Sequence, residues 1–177
     1  MIDLSKSREK SENRLLASLP QEEYERLVAH MESVLLNFKQ SVYEPNEPIE
    51  YVYFVKHGVV SLINVMEDGR EVEVATVGNE GMVGLPVFLG SDKIPGRAFS
   101  QIPGDALRMK ANVFKDIVTL GTQLHDLLQR YTQALFNQIA QGAACNSVHS
   151  VEERMCRWLL MTQDRVGEDE LDRKSVV

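Results

Sequence analysis

The segment from Glu80 to Phe99, EGMVGLPVFLGSDKIPGRAF, places several glycines, two prolines and one arginine among runs that are typical of short β-strands. Glycine lets backbone amide groups approach an anion, and arginine supplies a positive charge with paired hydrogen-bond donors. The segment therefore raises the question of what a β-sheet protein would hold at such a place.

Residues that could support catalysis or a closed metal site are scattered. Cys145 and Cys156 stand outside any CxxC pair and cannot supply the four thiolates of an iron–sulfur cluster. Within the strand region the only histidine is His57, whereas a metal-dependent barrel enzyme of the cupin type needs several histidines and a carboxylate. No Ser/His/Asp or Cys/His spacing and no Walker-type loop is present. We predict a protein without catalytic residues, metal ligands or a cofactor.

Composition sets further limits. A chain of 177 residues that is 44% hydrophobic can bury a core without disulfides. No stretch approaches the roughly 18 apolar residues of a membrane span, and the charged N-terminal segment lacks the apolar centre of a secretory signal. These features predict a soluble, cytoplasmic protein with no membrane partner. The net charge of −7 disfavours binding to phosphate backbones.

The chain pattern predicts a helical lead-in, from about Asn13 to Met31 and interrupted at Pro20, followed by an antiparallel barrel or sandwich. The clearest local signal is Asp68-Gly69, which suits a tight hairpin turn between two alternating segments. The best strand candidates are SVLLNFKQ, YVYFVKHG, VVSLINVM, EVEVATVG and ALRMK.

After Ala111 the apolar period changes from two to about three and a half. ANVFKDIV predicts a short helix, and a long helix follows from about Gly121 to Ala143. Its apolar stripe could pack on the barrel of the same chain or on the same helix of a second copy. We favour the second copy, because Leu127 and Phe136 offer a separate apolar surface for the barrel. The stripe consists of Leu124, Leu128, Tyr131, Leu135 and Ile139.

A last helix is predicted from Ser150, where SVEE forms a capping box with Glu153, to about Arg165, and Gly167 should end it. The remaining EDELDRKSVV is too short and too charged for another domain. Arg154 and Arg157 on this helix could contact one or two phosphates, but without a basic recognition helix we predict no sequence-specific DNA binding by this chain alone.

From about Asn13 to Gly167, the order of elements and the blocks YVYFVKHGVVSLINVMEDGREVEVATVGNEGMVGLPVFLG, GRAF and VHSVEERMCRWLLM resemble the sensor half of the Crp/Fnr superfamily of bacterial transcription regulators. The resemblance implies a mainly β fold: a cyclic-nucleotide-binding-type, jelly-roll-like antiparallel β-roll, then a long dimerisation helix and a short capped helix. It divides the chain into a sensor domain (1–118), a dimerisation helix (119–145), the first helix of a truncated DNA-binding domain (146–167) and a disordered tail (168–177).

The resemblance also assigns the opening segment. Members that bind cyclic nucleotides use a glycine-rich turn, a glutamate for the ribose hydroxyl and an arginine for the phosphate. Gly84 and Arg97 match the glycine and the arginine, but Leu85 stands where the glutamate is expected. Ala98 and, at the base end, Ile139 complete the predicted ligand-binding set. Losing a carboxylate–hydroxyl hydrogen bond costs about 1.5–3 kcal/mol, and the leucine also leaves the hydroxyl unpaired, so we expect a loss of roughly 10- to 1000-fold in affinity.

Two functions follow as alternatives. The chain is either the effector-sensing and dimerising part of a Crp/Fnr-type regulator or a stand-alone ligand-binding or protein-interaction module. In the first case we expect a homodimer, which reaches DNA only if a full-length form or a partner chain supplies the winged helix. The effector would be an unidentified small anion; the other interpretation makes Arg97 an ion-paired arginine in a vestigial pocket.

Overall fold

The computed structural model describes residues 11–166. The predicted helix end at Gly167 and the predicted tail over 168–177 lie outside these residues. The described helices are α1 (Arg14–Ala17), α2 (Gln21–Val28), α3 (Leu85–Phe88), α4 (Ala111–Ile117), α5 (Gln123–Val148) and α6 (Val151–Val166). The described strands are β1 (Glu32–Leu36), β2 (Ser41–Tyr43), β3 (Tyr51–Val55), β4 (Val59–Val65), β5 (Glu71–Val77), β6 (Met82–Val83), β7 (Gly96–Ile102) and β8 (Gly104–Lys110).

The strands form two four-stranded sheets with orders β1-β8-β3-β6 and β2-β7-β4-β5, and all the pairings are antiparallel. The predicted β-roll with flanking helices is therefore confirmed. The β4–β5 hairpin also turns where expected, with Gly69 at a φ of 81° that glycine adopts readily. Fully buried side chains of both sheets form the core, among them Val52, Phe54, Val60 and Val77.

The N-terminal helices are fastened to the barrel by one buried side chain. Asn13 caps α1, because its Oδ1 accepts a hydrogen bond from the Leu16 amide at 3.1 Å. Its Nδ2 donates to the carbonyl oxygens of Val55 and Gly81, both at 2.8 Å. One amide group therefore ties α1 to the end of β3 and to the turn before β6.

The long helix α5 packs on the barrel of its own chain, which corrects our prediction for its apolar stripe. Leu124, Leu128, Tyr131 and Leu135 are buried in the same core cluster as the barrel, and Ile139 packs at its edge. The Tyr131 hydroxyl also donates to the Met82 carbonyl oxygen at 3.2 Å. The stripe is therefore not available as a dimer interface, because burial of each such side chain stabilises the fold by about 1.5–3 kcal/mol. Phe136, which we had assigned to the barrel, is instead 65% exposed.

The final helix begins at the predicted capping box and turns back along the barrel. The Ser150 amide donates to Glu153 Oε2 at 2.8 Å, and the Glu153 amide donates to Ser150 Oγ at 3.3 Å. Near the other end of α6, Arg165 Nε donates to Glu80 Oε1 at 2.7 Å, with the arginine side chain only 9% exposed. No described helix has the length and apolar character needed to cross a membrane.

The edge strand β5 carries a partly buried carboxylate, that of Glu73. Glu73 Oε2 accepts hydrogen bonds from Ser61 Oγ at 2.7 Å and from Gln101 Nε2 at 3.3 Å. Burial raises the pKa of the Glu73 carboxyl above its ordinary value, although hydrogen bonds from Ser61 and Trp158 oppose this effect.

We expect Leu128→Ala to lower the free energy of unfolding by about 2–5 kcal/mol, because the truncation leaves a cavity between α5 and the barrel. Urea denaturation at several protein concentrations measures this loss. Leu120→Ala, at a site 85% exposed, is the control and should change stability by less than about 0.5 kcal/mol. A loss that appears only when the protein concentration is lowered would instead indicate an intermolecular role for Leu128.

The Glu73 carboxyl makes stability depend on pH. Because its folded pKa is raised, its contribution to folding is largest at low pH and declines as the pH rises through that pKa. Glu73→Gln cannot ionise, so its free energy of unfolding relative to wild type should increase between about pH 5 and about pH 8. Urea titrations at both pH values test this, with the exposed Glu67→Gln as control. Parallel profiles for wild type and Glu73→Gln would contradict the interpretation.

Candidate ligand-binding site

Gly84 forms the turn between β6 and α3. Its φ of 95° lies in the left-handed region, and a Cβ atom there would come within 3.1 Å of Val52 Cγ1. Both constraints favour glycine. The next residue, Leu85, begins the four-residue helix α3, and its side chain is only 8% exposed because it belongs to the core cluster. An apolar side chain thus occupies the place where a ribose-binding carboxylate was sought.

Arg97 lies on β7 opposite Ile63 of β4. Its Nη2 is 3.3 Å from Glu71 Oε2, and its guanidinium lies 5.2 Å from the centre of the Phe99 ring. The side chain is 31% exposed, yet Nε is buried and has no hydrogen-bond partner among residues 11–166. Arg97 is therefore partly neutralised by Glu71 and keeps one donor without a partner.

Gly84, Leu85 and Arg97 line one cavity of about 240 Å³, which we call the cassette cavity. This volume is below the roughly 300–1,000 Å³ typical of ligand pockets. No carboxylate contributes to the part of its wall that the described residues form. The other side chains are largely apolar and include Tyr43, Leu62, Met82, Leu89, Ile94 and Leu135.

Two predicted ligand residues lie elsewhere. Ala98 is fully buried in the core and does not line the cassette cavity. Its position follows from strand geometry, because neighbours on a strand face opposite sides of the sheet and Arg97 already faces the cavity. Ile139 lies in the wall of a different cavity. The site predicted from the resemblance is therefore assembled around Gly84, Leu85 and Arg97 only.

The second cavity, of about 550 Å³, lies between β5, the C-terminal half of α5 and α6, and we call it the β5–α6 cavity. Val74 contributes to both cavities. Sequence reasoning missed this site, although Arg154, Trp158 and Met161 follow helical spacing and all lie in its wall. This spacing could have shown that the three residues share one face of α6, but it could not have shown that β5 lies opposite that face.

A cluster of Glu12, His57 and Asp105 brings three groups that could bind metal within 4.8 Å of one another. Lys56 Nζ lies 2.7 Å from a carboxylate oxygen of Glu12 and 2.7 Å from one of Asp105. The ammonium group thus already supplies the positive charge between the two carboxylates. This cluster is explained as a surface ion-pair network.

Comparison with known proteins matches residues 36–119 to the cyclic nucleotide-binding domain family. No curated protein matches the chain. Among solved structures, the chain is similar to the c-di-GMP-responsive global regulator CLP of Xanthomonas campestris, with a TM-score of 0.68, 17% identity and coverage of 87% of this chain and 77% of that chain. It is also similar to FixK2 from Bradyrhizobium japonicum, with a TM-score of 0.65, 20% identity and coverage of 76% and 67%.

A third similar structure is the regulatory subunit of a cAMP-independent protein kinase A from Trypanosoma brucei, with a TM-score of 0.60, 21% identity and coverage of 70% of this chain and 44% of that chain. At these identities the structural likenesses establish the fold. Residues 36–119 thus match the cyclic nucleotide-binding domain family, and the solved structures show that the chain has the same fold.

Proposed function

We propose that this chain is the effector-sensing and dimerising part of a Crp/Fnr-type transcription regulator, non-enzymatic and cytoplasmic, and that cyclic AMP is a poor ligand for it. The observation that carries the ligand statement is the buried Leu85 beside Gly84 and Arg97. A leucine cannot accept a hydrogen bond from a sugar hydroxyl, and binding would leave that hydroxyl without a partner. In this proposal DNA is a partner only when a winged helix is supplied by a full-length form or by another chain.

The pairing of Arg97 with Glu71 supports the same conclusion. A phosphate bound at Arg97 would compete with the Glu71 carboxylate and meet its negative charge. The effector in this proposal is a small anion rather than a whole nucleotide, because the cassette cavity is small and the buried Arg97 Nε, which has no partner among residues 11–166, remains as a donor. Proteins of this fold differ in their ligands: CLP is described as responsive to c-di-GMP, and the Trypanosoma brucei kinase subunit is described as cAMP-independent.

The kinase subunit also supports a second candidate function. It carries the same fold in a protein described as part of a kinase. A stand-alone ligand-binding or protein-interaction module is therefore the alternative. The two functions differ in whether DNA binding appears when this chain is joined to, or paired with, a winged helix.

The proposed homodimer needs a face of α5 other than the buried stripe. Exposed residues at spacings of three and four form an outer face on the opposite side of the helix. Phe136 is its large apolar residue, and the alanines would allow close approach of two helices. We define the outer face as Gln133, Phe136, Ala140 and Ala144.

We expect cyclic AMP to bind the purified chain with a dissociation constant weaker than about 100 μM, because no carboxylate meets the ribose. Isothermal titration calorimetry measures this constant. Leu85→Glu restores the missing group and should tighten binding by about 10-fold or more, whereas Leu85→Gln, of similar size but uncharged, should not. Low-micromolar binding by the wild-type chain would show that another residue binds the ribose.

We expect a homodimer at micromolar concentration and expect Phe136→Asp to give monomers, because two carboxylates would be buried at the outer face. Light scattering coupled to size exclusion reports the mass. Leu120→Asp places the same charge at another exposed apolar site and should leave the dimer intact. A monomeric wild type, or a dimeric Phe136→Asp, argues against this interface.

A further inference from the structure

The β5–α6 cavity has the size and lining of a ligand pocket. Its volume of about 550 Å³ is within the roughly 300–1,000 Å³ typical of such sites. Apolar side chains come from β5 and α5, for example Val74 and Ile139. The helix α6 adds the thioether of Met155 and the indole of Trp158. A flat apolar group could contact the indole face and exclude water from these walls.

The polar groups of this cavity favour an anion. Arg154 and Arg157 both lie in its wall, on the same face of α6. Arg154 Nε is buried and has no hydrogen-bond partner among residues 11–166. A buried donor without a partner is costly, and an acceptor supplied by a ligand would remove that cost.

Among residues 11–166, the wall contains one carboxylate, Glu73, and it does not cancel the two cations. Glu73 Oε2 already accepts hydrogen bonds from Ser61 and Gln101 of its own sheet, and Trp158 of α6 also hydrogen-bonds to this carboxylate. Arg154 and Arg157 lie on α6, whereas Glu73 lies on β5. An acidic group bound at Arg154 Nε would be attracted by both arginines.

We propose that the β5–α6 cavity is a binding site for a small aromatic acid, whose ring packs against Trp158 and Met155 and whose acidic group binds Arg154. The site is separate from the cassette cavity, and it does not depend on the proposed regulatory function. Arg157 adds a second positive charge beside the acidic group.

Two probes that differ in one charged group test the proposal on the full chain. 8-Anilinonaphthalene-1-sulfonate (ANS) has the predicted aromatic body and acidic group, and N-phenyl-1-naphthylamine lacks the sulfonate. Since Trp158 is the only tryptophan of the chain, quenching of its fluorescence by energy transfer reports binding next to it. We expect one ANS molecule per chain, with quenching of Trp158 and tighter binding than the neutral probe.

The variants separate charge from packing. Arg154→Met should weaken ANS binding by about 10-fold or more and change binding of the neutral probe by less than about 2-fold. Arg154→Lys keeps the charge and should retain part of the ANS affinity. Arg130→Met, at an exposed arginine of α5 outside the cavity, is the matched control and should bind both probes like wild type.

Gly142→Leu tests the location of the site independently of Arg154. Among residues 11–166, a Cβ atom at Gly142 would meet only Arg157 Nη2, at 3.7 Å, so the larger side chain can enter the cavity without a backbone clash from this part of the chain. It should abolish binding of both probes, and thermal unfolding of each variant establishes that it is folded. The proposal is overturned by any of three results: ANS binding to wild type without quenching of Trp158, equal ANS affinity in Arg154→Met, or unchanged probe binding in Gly142→Leu.

Discussion

The packing of α5 against its own barrel is the interaction on which the rest of the structure depends. Leu128 and its neighbours are buried in the core cluster of the β-roll, and the Tyr131 hydroxyl donates to the carbonyl oxygen of Met82, two residues before Gly84. This packing fixes the rotation of α5 about its axis, and the rotation determines which residues of α5 face solvent and which face the β5–α6 cavity. The outer face with Phe136 is left exposed, and the C-terminal half of α5 becomes a wall of the β5–α6 cavity.

The cassette cavity combines a glycine turn and an arginine with a largely apolar wall. Gly84 makes the tight turn against β3, and Arg97 lies on β7 of the other sheet. Leu85 belongs to the core, and Glu71 already contacts the arginine. A scaffold of this kind can be maintained by packing alone, because the turn and the strands are stabilised by burial whether or not a ligand binds.

Much of the candidate site followed from local sequence, and the rest did not. Gly84 and Arg97 were identified because EGMVGL and GRAF resemble the phosphate-binding segment of the family, and such short motifs can be read from the sequence alone. The burial of Ala98 follows from strand alternation once Arg97 is placed. Ile139 was assigned to the wrong cavity, because its position depends on how far along the barrel α5 lies. The β5–α6 cavity joins segments about 80 residues apart, from Val74 to Arg154, so no local pattern could predict it.

The sequence alone determined those elements that are stabilised by contacts between residues only a few positions apart in the chain. The Gly69 hairpin and the Ser150–Glu153 capping box are of this kind, and both formed as their local chemistry requires. The tertiary structure decided which face of α5 is buried, since the stripe of Leu128 and the face of Phe136 both offered apolar surface. It also decided that α6 turns back, through an ion pair between Arg165 and Glu80. In both cases the outcome depends on which packing of distant segments has the lower free energy. That difference arises only when the barrel has formed, so it cannot be read from neighbouring residues in the sequence.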